Sequence, residues 1–126
     1  MFMTVSGQAA ALSPFLGKKR LLLLFSKSRS SAILERQIDL LQDVRTDLSN
    51  HDIIVLVTQG KQNTIANIGY AHMPPNAARE LKKKFQPKDS LLTVVLVGKD
   101  GLEVGRWNRI IYPEAIIDLI DPSILP

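Results

Sequence analysis

Two short, uninterrupted apolar runs stand out along the chain. Leu21-Leu22-Leu23-Leu24-Phe25 follows the basic Lys18-Lys19-Arg20, and Ile53-Ile54-Val55-Leu56-Val57 follows Asp52. Both are of strand length and neither alternates with polar residues, which predicts strands buried on both faces, as at the centre of an α/β sheet. Between them Leu34, Ile38, Leu41, Val44 and Leu48 recur at three- and four-residue spacing. That is one apolar stripe on a single helix of about five turns, opening near Ser30 or Ser31 and stopping at Asn50. Strand, helix and strand in this order predict a right-handed crossover between parallel strands.

The second half carries weaker but ordered signals. Gly60 to Pro75 stays open: Ile65, Ile68 and Tyr70 either form a short strand or dock a loop. Pro74-Pro75 opens a second helix, with Ala77 or Ala78, Leu81 and Phe85 inward and Lys82-Lys83-Lys84 outward, and Pro87 ends it. Leu91 to Val97 is a third strand. Lys99-Asp100-Gly101 is a tight turn, and Leu102 to Trp107 pairs back antiparallel. Pro113-Glu114 starts a last helix through Ala115, Ile116, Ile117, Leu119 and Ile120, which Pro122 stops. The order predicts an α/β, thioredoxin-like βαβαββα fold with a central mixed sheet of about four strands flanked by helices. Residues 1–17, punctuated by Ser13-Pro14 and Gly17, read as an N-terminal arm, and residues 18–126 as the domain.

Composition narrows the function classes. The chain has 126 residues, a single-domain length, with 45% hydrophobic and 22% charged positions, which argues against disorder. It has no cysteine, so disulfides, thiolate metal sites and thiol mechanisms are excluded. The net charge of +4 comes from bases spread between Lys18 and Arg109, with aromatics at only 6%, so nucleic acid is not the expected partner. No apolar run approaches the roughly 20 residues of a membrane span. Met1 to Leu12 lacks a basic leader and makes no convincing signal peptide, which favours the cytoplasm over the periplasm. The apolar arm around Phe2, Phe15 and Leu16 packs on its own domain or on a second copy, and a homodimer is the second outcome.

From Leu12 to its end the chain resembles a bacterial domain family of unknown function related to the DUDES-type domains of vertebrate extracellular proteins. The residues that carry this are Leu12-Ser13, Lys19-Arg20, the Leu-rich strand ending Phe25-Ser26, Asp52, Leu96-Val97-Gly98-Lys99-Asp100-Gly101 and Leu119-Ile120-Asp121. The resemblance implies a thioredoxin- or peroxiredoxin-like fold and leaves the activity open. A thioredoxin site needs a thiolate at the start of the first helix, where the dipole lowers its pKa. Here that segment reads Ser28-Arg29-Ser30-Ser31-Ala32-Ile33. The proline expected before the third strand is also missing from Leu91-Leu92-Thr93. The implication is a retained fold without dithiol or peroxidatic catalysis.

The leading candidate site runs from Ser26 to Ser31. It leaves a strand and opens a helix, where unpaired N–H groups favour anions, with Lys27 and Arg29 adding charge and Ser28, Ser30 and Ser31 adding donors. The rival reading is plain helix capping with solvated bases. Lys99, Asp100 and Arg106 form a second candidate surface, set against simple turn geometry. Lys82-Lys83-Lys84, with Glu80 four residues before Lys84, is an acidic-partner face or a solvated one. Trp107, Tyr70 and Tyr112 line a groove or pack the core edge. His51 and His72 fit no ligand pattern, so neither metal nor other cofactor is expected. The function this supports is a non-redox binding module for a protein or a small anion. The alternative is a non-redox enzyme acting on an acidic or phosphorylated substrate through Ser26–Ser31.

Overall fold

The apolar runs become the middle of a mixed sheet. The computed structural model describes residues 13–27, 32–59, 65–68, 77–87 and 91–121. Along them the elements run β1 (Arg20–Ser26), α1 (Ala32–Gln42), α2 (Arg45–Asn50), β2 (Ile53–Gln59), β3 (Ile65–Ile68), α3 (Ala77–Phe85), β4 (Thr93–Val97), β5 (Glu103–Trp107) and α4 (Pro113–Ile120). The strand order is β3-β2-β1-β4-β5. β1 lies parallel to β2, Leu22 opposite Val55, and antiparallel to β4, Leu22 opposite Leu96. The mixed sheet flanked by helices is therefore present, and the stretch left open in the sequence supplies a fifth strand, β3, at one edge.

Alternation along β1 sorts two cores. Leu21, Leu23 and Phe25 join Ile54, Leu56, Val95 and Val97 under Leu81 and Phe85 of α3. Leu22 and Leu24 join Ile53, Val55, Val57, Val94 and Leu96 under Leu34 and Leu41 of α1, Leu48 of α2 and Ile116 of α4. One helix thus covers one face and three cover the other. Each fully buried leucine of β1 contributes roughly 1.5–3 kcal/mol relative to exposure.

The single five-turn helix is corrected to two. Val44 leaves helical geometry at φ −122°, ψ 28°, and α2 restarts at Arg45. The apolar spacing could not reveal this break, because Val44 N–H still donates to Leu41 O (3.2 Å) and Leu48 N–H to Val44 O (3.0 Å). The stripe stays on the core side: Leu34, Leu41 and Leu48 are buried, with Ile38 and Val44 packed against them.

Two residues past the end of α2, Asp52 sits in the left-handed region at φ +56° and passes the chain into β2. From the arm, Phe15 is 3% exposed and sits in the α3-side core. Gly17 N–H donates to Lys99 O at 2.8 Å, and Lys18 and Lys19 fold back onto Phe15 O. Phe15 therefore packs on its own domain. On β5 a side chain at Gly105 would meet the Trp107 ring at 2.8 Å, so the indole lies against this glycine. Val97 pairs with Glu103 and Leu96 with Gly105, which leaves Val104 as the extra residue of a β-bulge.

One polar side chain in the core fixes α1 to the loop between β5 and α4. Gln37 is 0% exposed. Its Nε2 donates to Ile111 O at 2.9 Å, and Ile111 N–H donates to Gln37 Oε1 at 2.8 Å. Gln37→Met keeps the side-chain length but orphans both backbone groups of Ile111. The expected cost is about 2–5 kcal/mol, from roughly 1–3 kcal/mol per buried group left unpaired. Urea unfolding measures it, and a loss below about 1 kcal/mol would show that the pair does not hold the loop.

Candidate functional site

Polar chemistry gathers at the two opposite ends of the sheet. At the end where β1 and β2 begin, the left-handed backbone of Asp52 aims its carboxylate between two lysines. Lys99 Nζ donates to Asp52 Oδ2 at 2.9 Å, and Lys19 Nζ lies 3.5 Å from Asp52 Oδ1. The neighbouring Arg20 donates to His51 O, whose ring Nδ1 meets Asp47 O at 2.8 Å and whose Nε2 lies 4.0 Å from Asp121 Oδ2. Three residues singled out along the chain, Lys19, Asp52 and Lys99, are thus one ion cluster that ties the start of β1, the start of β2 and the hairpin after β4.

The three residues of the second candidate surface have separate partners. Lys99 is engaged with Asp52. Asp100 Oδ1 accepts from Leu102 N–H at 3.0 Å, and Gly101 completes the turn at φ +83°. Arg106 grips Glu103 with two nitrogens, at 3.1 and 2.8 Å, and also donates to the carbonyls of Phe85 and Gln86 at the end of α3. A guanidinium there satisfies carbonyls that a helix end leaves open. The hydrogen bond from Arg106 holds the Glu103 carboxyl below its ordinary range, and Glu103 raises Arg106 in return. Of the leading candidate segment, Ser26 is buried at the end of β1 and Lys27 is exposed. Ser28, Arg29, Ser30 and Ser31 lie outside the described residues, as do His72 and Tyr70.

The other end of the sheet carries a groove of about 540 Å3. It lies where the parallel strands finish, the edge at which open α/β sheets place ligands. Ile33, Arg36 and Leu40 of α1 form one wall, Asn108, Arg109, Ile110 and Tyr112 between β5 and α4 form the other, and the buried Leu92 and exposed Leu91 that lead into β4 complete the lining. The Gln37–Ile111 pair lies behind this groove and sets the distance between its walls. Asn108 Nδ2 donates to Thr93 Oγ1 at 2.8 Å, anchoring the second wall to β4. Tyr112 is 60% exposed, Leu91 50% and Ile33 37%, so the rim is apolar and open. Trp107, by contrast, packs on the core. Among the described residues no carboxylate lines the groove, and neither Arg36 nor Arg109 pairs with one.

Sequence reasoning reached Tyr112 but missed Arg36 and Arg109. Two single arginines more than seventy residues apart carry no local signal, and only the sheet order brings them to one cleft. Among the described residues no cluster of histidine, aspartate and glutamate has the form of a metal site, and no helix is long and apolar enough to cross a membrane.

With the geometry in hand, the relatives can be placed. The family described as "Domain of unknown function (DUF4174)" matches residues 11–125. The human sushi repeat-containing protein SRPX is 31% identical over 90% of this chain and 25% of its own length. Human SRPX2 is 30% identical over 96% of this chain and 26% of its own length. The chain spans about a quarter of the length of these curated relatives. Among solved structures, reduced 2-Cys peroxiredoxin of Plasmodium vivax superposes with a TM-score of 0.63 at 20% identity, over 90% of this chain and 82% of that one. Trgpx in its apo form gives 0.53 at 24% identity, over 91% and 86%. The fold is thioredoxin-like, built on a chain without cysteine.

The Asp52 cluster has a pH signature. The hydrogen bond from Lys99, and after it the Lys99 charge, holds the Asp52 carboxyl below its ordinary value of 3.8, with Lys19 adding to the effect. The unfolded chain then takes up this proton first. The stabilisation is fully present above the ordinary value and is lost as the pH falls through the lower folded one. An NMR titration is expected to find the Asp52 carboxyl below its ordinary value, and Lys99→Met to move it most of the way back. An unchanged midpoint in that variant would remove Lys99 as the cause.

Proposed function

This chain belongs to the DUF4174 family, and on that premise we propose that it is a non-redox binding module that receives a protein or a small anion in the groove between α1 and the β5–α4 loop. The observation that carries this reading is the groove itself. It is a cleft with apolar walls at the ligand-binding edge of the sheet, holding two arginines and no lining carboxylate among the described residues. Its size falls within the roughly 300–1,000 Å3 of ordinary ligand sites. The described lining offers no histidine and no carboxylate to act as a general base, which supports binding over turnover. The absence of cysteine removes the thiolate chemistry of a thioredoxin site, and the cleft beside α1 retains a surface on which a partner can sit.

The test uses the intact chain. Phosphate, sulfate, nucleotides and small carboxylates are screened by thermal shift, and random nine-residue peptides by phage display. A ligand that binds the native state raises the melting temperature by mass action. Tyr112→Ala and Ile33→Asp are expected to abolish whatever binding is found. Both positions face solvent, so both variants should stay folded by circular dichroism. Binding that survives both substitutions would move the site elsewhere and overturn the reading.

A further inference from the structure

We propose that the occupant of this groove is a peptide segment of a partner protein that places an aspartate or glutamate beside large apolar side chains. The inference rests on the groove reading above and specifies what the groove takes. Two features of the cleft have to be satisfied together. Arg36 on one wall and Arg109 on the other present guanidinium groups that pair with no carboxylate among the described residues. Arg109 Nη1 donates to Ile110 O at 3.2 Å, which holds that side chain against its own loop. A planar fork of this kind matches a carboxylate in two parallel hydrogen bonds.

The second feature is the apolar rim. Ile33, Leu91 and Tyr112 line the cleft and are exposed, which gives it an uncovered apolar rim. A free phosphate or acetate would satisfy the arginines but leave this rim in water. A purely apolar peptide would cover the rim but bring two cations into a drier site without a counter-charge. A segment carrying both a carboxylate and large apolar residues covers the rim and neutralises the charge. The source is a peptide rather than a nucleic acid, because among the described lining residues only Tyr112 is aromatic, which is too few for a base-stacking platform.

The experiment compares two synthetic nine-residue peptide libraries on the full chain by fluorescence polarisation. In the first, one aspartate or glutamate is flanked by large apolar residues. In the second, asparagine or glutamine replaces the acid. The acidic library is expected to bind about tenfold or more tighter, the weight of a charge-assisted hydrogen bond. Arg36→Gln and Arg109→Gln should each weaken the acidic library about tenfold and leave the amide library nearly unchanged. Equal binding of both libraries, still lost in Tyr112→Ala, would overturn this proposal and leave the groove reading standing. Binding by neither library and by no anion of the thermal-shift panel, or binding indifferent to every groove substitution, would overturn both. Binding by inorganic phosphate alone would assign a small anion and overturn the peptide. Tighter binding of a single-stranded oligonucleotide, falling steeply with salt, would do the same.

Discussion

The buried carboxamide of Gln37 is the contact on which the groove end of the molecule depends. It satisfies both backbone polar groups of Ile111 across more than seventy residues of sequence. An apolar residue here would fill the core equally well but would leave a buried N–H and C=O unpaired. The hydrogen-bond pair sets the distance between α1 and the β5–α4 loop, and therefore the width of the groove. The core around it is aliphatic and tolerant of repacking. The geometry of one amide opposite one peptide unit is far less so.

The charge of the protein is used differently at the two ends of the sheet. Where β1 and β2 begin, Lys19 and Lys99 are both drawn to Asp52, and Arg20 and His51 are tied into the same edge. Arg106 is spent likewise on Glu103 and the end of α3. These are fastenings of strand ends and of an edge strand. At the far end, Arg36 and Arg109 meet no carboxylate among the described residues.

The comparison with peroxiredoxins shows how little of such a fold depends on its thiol. The parallel β1–β2 pair, the antiparallel β1–β4 pair and the placement of one helix against three are set by buried apolar side chains. This chain keeps those layers without any cysteine, and the cleft beside α1 with them. The stretch that leads into β4 holds Leu91 and Leu92. Leu92 is in the core and Leu91 is on the groove rim.

The sequence by itself determined β1, β2, β4 and β5, the last two helices and the order of these elements, while it left β3 open, because burial on both faces and three-to-four spacing are local patterns that apolar residues cannot hide. It also determined what the chain cannot do, since thiolate chemistry needs a residue the sequence lacks. It did not determine the break at Val44, because a helix that restarts one turn later keeps its apolar stripe on the same side. Nor did it reveal the Lys19–Asp52–Lys99 cluster or the two arginines of the groove. Charged side chains carry no periodicity that ties them to distant partners. Only the strand order β3-β2-β1-β4-β5 decides which loops become neighbours, and it is fixed by the pairing of buried strands far apart in sequence.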